Sequence, residues 1–436
     1  MDPLLSGLLI IAAMLVVAMA GVPIGLSMSA VAFAGLWIIG GLDAALGTFR
    51  TLPYAVSSQY TFAVVPMFVL MGAFAAQAGI TGELYTAAYR FFSRMRGNLF
   101  YATILASAGF AAVSGSTVVS SAVFTRMALP EMIRFRFKRG VGGGCIAAAG
   151  TFAALIPPSI SMVIYGMITN ESIGALLMAG IIPGILTAVV YLIGIRILLI
   201  FYPDWAPPAT ERFTWAQKLD SLRGIWALVL LVGLVMGGIY TGIMPPSAAG
   251  AVGAAGALAI CTMRGRLKGQ DFWESLKQSA SITAVLFLII VGGLLFSRLL
   301  LYTGFVTSIT GLVEDTQLTA PVFLIALVLM YLLLGMFIDT VSMMVMTIPF
   351  VYPIVLAMGF DPIWFGVIMI KLVEIAAITP PVGLNLYAVL SASRGELKTN
   401  ELFVGITPFL CFEFVTLGIL LAFPQVALWL PQTMFQ

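Results

Sequence analysis

Ser114-Gly115-Ser116-Thr117 and Leu155-Ile156-Pro157-Pro158-Ser159 decide how this chain is read. Each is a small-polar or helix-breaking stretch inside long apolar sequence, and each returns, altered, in the second half. The interval from Ser116 to Pro157 equals the interval from Asp339 to Pro380. Pro130, Pro157 and Pro158 match Pro353, Pro380 and Pro381 at one common offset of 223, close to half the length of the chain. The chain therefore reads as a duplication. Interrupted apolar segments at matching places in two halves are the best sequence pointer to a transporter's binding site.

The composition agrees. The chain is 61% hydrophobic and 9% charged, too little charge to cover a soluble surface of this size, so it reads as a polytopic helical membrane protein. Runs such as Ile282–Leu295 and Pro321–Ile338 are continuous, unlike the alternating strands of a membrane barrel. The net charge of +3 says nothing useful about partners, and there is no basic run suited to nucleic acid; the apolar spans make lipid the expected surroundings. There is no histidine, which removes Ser-His-Asp triads, HExxH zinc sites and histidine proton relays. Asp339 is the one good intramembrane aspartate, and an intramembrane aspartyl protease needs two. The chain is expected not to be an enzyme. Cys145, Cys261 and Cys411 form no CxxC and read as small packing residues. With Asp2 as the only charge before Leu4, Leu4–Ala20 reads as a retained span rather than a signal.

Outward from the two stretches, the spacing predicts two inverted repeats. Residues 1–200 form the first and 224–436 the second, joined by a linker at 201–223. In the first repeat, scaffold spans over 4–78 include Leu4–Ala20, Val22–Gly40 and Ser58–Ala78, with a surface segment at Asp43–Tyr54. Thr81–Arg96 reads as an interfacial amphipathic helix. Leu99–Ile133 (hairpin 99–133) has basic residues at both ends, Arg90, Arg94 and Arg96 before and Arg134, Arg136, Lys138 and Arg139 after. Such loops stay in the cytoplasm, so the segment is expected to enter and return with Ser114–Thr117 at its tip. Each arm offers only ~24 Å of helix, which favours a re-entrant hairpin over the alternative of two full crossings. Gly140–Asn170 (140–170) is expected as a span broken at Pro157-Pro158, and Ile173–Ile200 (173–200) returns. In the second repeat, scaffold helices cover 224–301, with Gly269–Ala280 set apart as an amphipathic segment before Ser281–Leu301. The hairpin 321–356, the broken span 361–394 and a last helix 402–430 follow.

Charge favours inversion. Shifting Arg90–Arg96 by 223 lands on 313–319, which carries Glu314 and Asp315 and no base. Shifting Arg134–Arg139 lands on 357–362, again without a base. Equivalent loops on opposite faces explain this, giving ten crossings, two hairpins and both termini outside.

A small polar tip facing a broken helix offers hydroxyls, bare carbonyls and half-helix ends, which suit Na⁺, while helix N-termini suit a carboxylate. One Na⁺ site is expected between Ser114, Gly115, Ser116 and Thr117 and the Pro157-Pro158 break. A second is expected between Gly335, Asp339 and Thr340 and the Thr379, Pro380, Pro381 and Gly383 break. The competing reading is tight packing by small residues. Asp339 is costly in a membrane and functional by default, as a cation ligand, a proton carrier or an acceptor for a helix terminus. Arg126 and Arg298 are candidates to counter a substrate carboxylate, or they snorkel. Ser159 and Asn385 are further substrate candidates, Asn385 alternatively serving the broken backbone. Lys371 and Glu374, three apart, read as a local ion pair.

S-G-S-T at 114–117, L-I-P-P-S-I at 155–160 with Y-G at 165–166, T-G-I-M-P-P-S-A-A at 241–249, G-M-F-I-D-T at 335–340 and I-T-P-P-V-G-L-N-L-Y at 378–387 together resemble the large membrane subunit of TRAP transporters, the DctM-like permeases. The resemblance runs over nearly the whole chain in the same order. It implies an all-α fold of inverted-topology repeats with two hairpins and two broken helices, elevator-type and like the ion transporter superfamily. It implies Na⁺-driven import of a small organic acid across the bacterial inner membrane. It also implies a small four-helix membrane subunit (DctQ-like), a periplasmic substrate-binding protein (DctP-like), and Na⁺ at the tips and breaks. Departures are Pro245-Pro246-Ser247-Ala248-Ala249 where the family usually reads T-P-T-E-A-A, and the charges of Arg126 and Lys371. Rival readings are a stand-alone Na⁺/carboxylate symporter of the divalent-anion type, an intramembrane hydrolase using Asp339, and a channel, which two mirrored hairpins argue against.

Overall fold

Every element of the computed structural model, which describes residues 2–209, 211–316 and 318–434, is helical among those residues. The first half opens with α1 (Pro3–Met19), α2 (Ile24–Ser57), α3 (Val64–Gln77) and α4 (Ile80–Phe92). A hairpin follows, α5 (Asn98–Ser114) and α6 (Thr117–Arg134). Then come α7 (Arg139–Gly150), α8 (Phe152–Leu155), α9 (Ile160–Thr169) and α10 (Ile173–Phe201). The linker holds α11 (Trp215–Leu222).

The second half repeats this layout. It comprises α12 (Trp226–Tyr240), α13 (Pro246–Met263), α14 (Gly269–Tyr302), α15 (Phe305–Asp315), the hairpin α16 (Ala320–Gly335) and α17 (Thr340–Ala357), α18 (Pro362–Ala377), α19 (Leu384–Ala392), α20 (Thr399–Ala422) and α21 (Gln425–Met434). Subtracting 223 from the bounds of α17 gives those of α6. The same offset pairs α18 with α7 and α8, α19 with α9, and α20 with α10.

Local sequence explains the boundaries. Asp2 caps α1 by accepting from the Leu4 amide at 3.1 Å, and Asp361 caps α18, whose first residue is Pro362, the position where a missing N–H costs nothing. Glycine sets the closest approaches. A Cβ on Gly405 of α20 would stand 1.9 Å from the Gly140 carbonyl oxygen of α7, and one on Gly292 of α14 would stand 2.2 Å from the Gly25 carbonyl oxygen of α2. Lipid is as apolar as leucine, so helices in a membrane associate through such close packing. Among the described residues, eight helices are long and apolar enough to cross a membrane, and the pair 139–155 and 160–169, bent by 41°, makes a ninth if it is one span.

Asp43–Tyr54 is set apart from the span before it, since α2 is two helices that meet at a kink at Gly41 (φ 82°). The structure differs from the sequence expectation in three places. The polar stretch 269–280 is continuous with the following span in the 34-residue α14, because polarity marks where a helix leaves the membrane, not where it ends. The last segment divides at Phe423-Pro424 into α20 and α21, since proline cannot continue the ladder. Helix α15, to which the sequence pattern assigned no element, is the counterpart of α4.

Candidate functional site

The first tip is built by two caps back to back. Helix α5 ends on Gly115 at φ 61°, the left-handed conformation in which glycine stops a helix without a Cβ clash. Ser116 then opens α6, its Oγ accepting from the Val119 amide at 3.5 Å. Ser120 Oγ donates to Ser114 Oγ, and Ser114 Oγ to the Ser116 carbonyl, each at 3.3 Å. A Cβ on Gly115 would lie 3.0 Å from the Pro158 carbonyl oxygen, so hairpin tip and helix break meet.

The break itself lies between α8 and α9, and both Pro157-Pro158 and Pro380-Pro381 are cis. Among the described residues, no backbone amide donates to the carbonyls of Ile156, Pro157 or Pro158, nor to those of residues 378–382. These are bare hard-oxygen donors of the kind that coordinate Na⁺ in discontinuous membrane helices. The described residues contain no cluster of three or more His, Cys, Asp or Glu able to hold a metal, so any ion here meets mainly neutral oxygens.

At the second tip, Asp339 caps α17. Its Oδ2 accepts from the amides of Val341 at 3.1 Å and Ser342 at 3.0 Å, and its Oδ1 from Ser342 Oγ. Asp339 thus fills the role of helix-terminus acceptor, at the position that the offset of 223 pairs with Ser116. A Cβ on Gly335 would stand 2.8 Å from the Ala376 Cα of α18, so this hairpin also sits hard against its broken partner. Thr379 Oγ1 donates to the Ile375 carbonyl at 2.7 Å, leaving its lone pairs free. Gly383, at φ 52°, lets the loop turn back towards the Ala377 carbonyl.

One cavity of about 660 Å³ joins these parts. Gly115, Ser116 and Thr117 of the first tip line it, as do Asp339 and Thr340 of the second. Ile160 and Ser161 bring the start of α9, and Leu384 the start of α19. Four helix N-termini (α6, α9, α17, α19) therefore converge, and their partial positive charge favours an anionic group. Asp339 is the only ionisable side chain among the lining residues described. The remaining wall is apolar, from the turn 21–25 between α1 and α2 and from residues 282–289 of α14. Nothing in their residue types sets those two segments apart in the sequence.

The other candidates fall outside this cavity. Arg126 and Arg298 are exposed. Arg298 faces a separate pocket between α2 and α14. Ser121 and Thr125 take the buried face of α6 and turn the neighbouring Arg126 outward. Ser159 is fully buried, its hydroxyl engaged with the Ala154 carbonyl and accepting from the Met162 amide at 3.2 Å, so it closes the break rather than facing the cavity. Asn385 is fully buried one residue beyond Leu384, and neither atom of its side-chain amide has a partner. Lys371 and Glu374 do form an ion pair, at 2.9 Å. Glu413 of α20, which nothing in the sequence pattern singled out, joins them.

Comparison with known proteins gives the family. The family model for the "Tripartite ATP-independent periplasmic transporter, DctM component" matches residues 11–426. A C4-dicarboxylate TRAP transporter large permease protein, DctM, of Pseudomonas aeruginosa is 33% identical over 380 residues, covering 87% of this chain and 88% of the relative. A sialic acid TRAP transporter large permease protein, SiaM, of Vibrio cholerae is 30% identical over 431 residues, covering 95% of each. The crystal structure of the YdaH transporter of Alcanivorax borkumensis superposes with a TM-score of 0.56 over 89% of each chain at 14% identity, a likeness of fold. A family match over nearly the whole chain, on a polytopic helical fold, makes this chain a member of the DctM family, the large permease subunit of a TRAP transporter and not an enzyme.

Proposed function

We propose that this permease imports an organic acid, delivered by a periplasmic binding protein, in symport with Na⁺ and alongside a small membrane subunit. The observation that carries this reading is the shared cavity: both tips and both post-break helix starts open onto it. The substrate carboxylate would be met by the N-terminal amides of those helices and its apolar body by α14. Na⁺ would be held at the first site by the hydroxyls of 114–117 and the carbonyls of 156–158. At the second it would be held by Asp339, Thr340 and the carbonyls around Thr379 and Pro380. The hairpins with α7–α10 and α18–α20 would form the moving body of an elevator, and α1–α3 with α12–α14 its scaffold. The arginine clusters would face the cytoplasm and both termini the periplasm. An impermeant thiol reagent should reach a cysteine placed at Thr433 from the periplasmic side alone.

The test is uptake into proteoliposomes, adding and omitting the small subunit, a binding protein and a Na⁺ gradient, with dicarboxylates, sialic acid and keto acids tried in turn. Uptake that needs all three components is expected. Robust Na⁺-driven uptake by this chain alone would make it the stand-alone symporter instead.

Ser116→Ala and Thr379→Ala check the two ion sites separately. Neither hydroxyl is indispensable for the fold: Ser116 makes one long capping bond, and Thr379 bonds within its own helix turn. Each substitution is expected to raise the Na⁺ concentration for half-maximal uptake about tenfold, the loss of one hydrogen-bond-scale contact. Wild-type Na⁺ dependence in both would mean that the tips only pack.

A further inference from the structure

Away from the cavity, the membrane interior contains a second polar group. Lys371 and Glu374 of α18 and Glu413 of α20 have side chains with no solvent exposure. Lys371 Nζ donates to Glu374 Oε2 at 2.9 Å and to Thr187 Oγ1 of α10 at 3.2 Å, and touches Glu413 Oε2. Tyr191 of α10 donates its hydroxyl to Glu413 Oε1. The rings of Phe152, Phe409 and Phe412 pack around Tyr191, and the thiol of Cys145 on α7 lies nearby. The offset of 223 maps Lys371, Glu374 and Glu413 back onto Ala148, Thr151 and Val190, so this group is no part of the duplicated machinery.

Its charges do not balance. Two carboxylates against one ammonium leave a surplus negative charge in a dry interior, which is far costlier than a neutral acid. The partners are also unequal. Glu413 has the Tyr191 hydroxyl on one oxygen and, on the other, the Lys371 ammonium in ion-pair contact without hydrogen-bond geometry. Glu374 Oε1 is fully buried without any partner. We propose that Lys371, Glu374 and Glu413 form a proton-binding site in which Glu374 holds one exchangeable proton, leaving the group electrically neutral. The proton sits on a Glu374 carboxyl oxygen as an O–H bond. Lys371 and Glu413 remain charged and ion-paired. The site ties α10 of the first repeat to α18 and α20 of the second, shortly before the break at Thr379.

The experiment is infrared spectroscopy on the purified, lipid-reconstituted permease in H₂O and D₂O, which needs neither substrate nor partner. Wild type should show the carbonyl stretch of a protonated carboxylic acid, shifted in D₂O. That band should vanish in Glu374→Gln. It should vanish equally in Glu413→Gln, because Glu374 then ionises against Lys371. Glu374→Gln should melt close to wild type, since glutamine is the neutral isostere of the protonated acid, and so should Glu413→Gln, since Glu374 then supplies the carboxylate that pairs with Lys371. Glu374→Gln/Glu413→Gln strands Lys371 as an unpaired buried cation and should melt far lower. A wild-type spectrum without the band, a band that survives both single substitutions, or a single variant that does not fold would each overturn the proposal.

Discussion

Asp339→Asn is expected to cripple uptake while leaving the fold standing. The two jobs of Asp339 separate cleanly in this substitution. As a cap, the carboxylate accepts from the Val341 and Ser342 amides. Asparagine caps about as well as aspartate, so stability should change by less than about 1 kcal/mol. As the only ionisable side chain among the described lining residues, Asp339 supplies a fixed negative charge to a cation there. A contact to a charged group is worth about 1.5–3 kcal/mol, so the Na⁺ concentration needed should rise roughly tenfold to a hundredfold. Asp339→Ala loses cap and charge together and should also cost about 1 kcal/mol of stability. Uptake against Na⁺ concentration, with melting curves for both variants, makes the comparison. An asparagine variant with wild-type Na⁺ dependence would reduce Asp339 to a helix cap.

Much of the layout is legible in the sequence. The repeat shows through prolines and small polar residues because those positions do something a generic apolar residue cannot: end a helix, cap one, or leave carbonyls bare. Thr81–Arg96 is readable as α4 because its charges and apolar residues alternate with helical period. Its counterpart α15 carries its charges only at its end, at Glu314 and Asp315, so no charged face marks it, and the offset of 223, carried past the prolines, points to it. Glu413 shows a different limit. It lies on another helix, far along the chain from Lys371, and only the packing of α20 on α18 brings the two together. Arg126 and Arg298 show a third. Their charge suggests a substrate carboxylate, but one residue of rotation on a helix decides between cavity and surface, and α6, with Ser120, Ser121 and Thr125 on its buried face, has no simple apolar stripe to fix that rotation. The convergence of four helix N-termini was expected only pairwise, since tip and break were paired within each repeat and the single cavity joins the repeats.

Gly115→Ala and Gly335→Ala should both abolish most transport, for related but distinct steric reasons. Gly115 holds φ 61°, where a Cβ costs about 1–2 kcal/mol. That Cβ would also press on the Pro158 carbonyl oxygen at 3.0 Å, one of the oxygens proposed to hold Na⁺. Gly335 is helical, so its alanine carries no such conformational penalty, but the new methyl would stand 2.2 Å from the Ala376 Cβ and 2.8 Å from the Ala376 Cα. Backbone cannot yield as a side chain can, so α16 must move away from α18 and take the second tip with it. A displacement of even one ångström between ligands set for one ion is enough to lose roughly a hundredfold in function. Gly418→Ala is the control, since a Cβ there meets nothing within 4 Å and alanine favours a helix by roughly 0.5–1 kcal/mol over glycine. The three variants should all reach the membrane, and only Gly418→Ala should transport like wild type. Normal uptake by Gly335→Ala would show that hairpin and broken helix need not touch for the site to form.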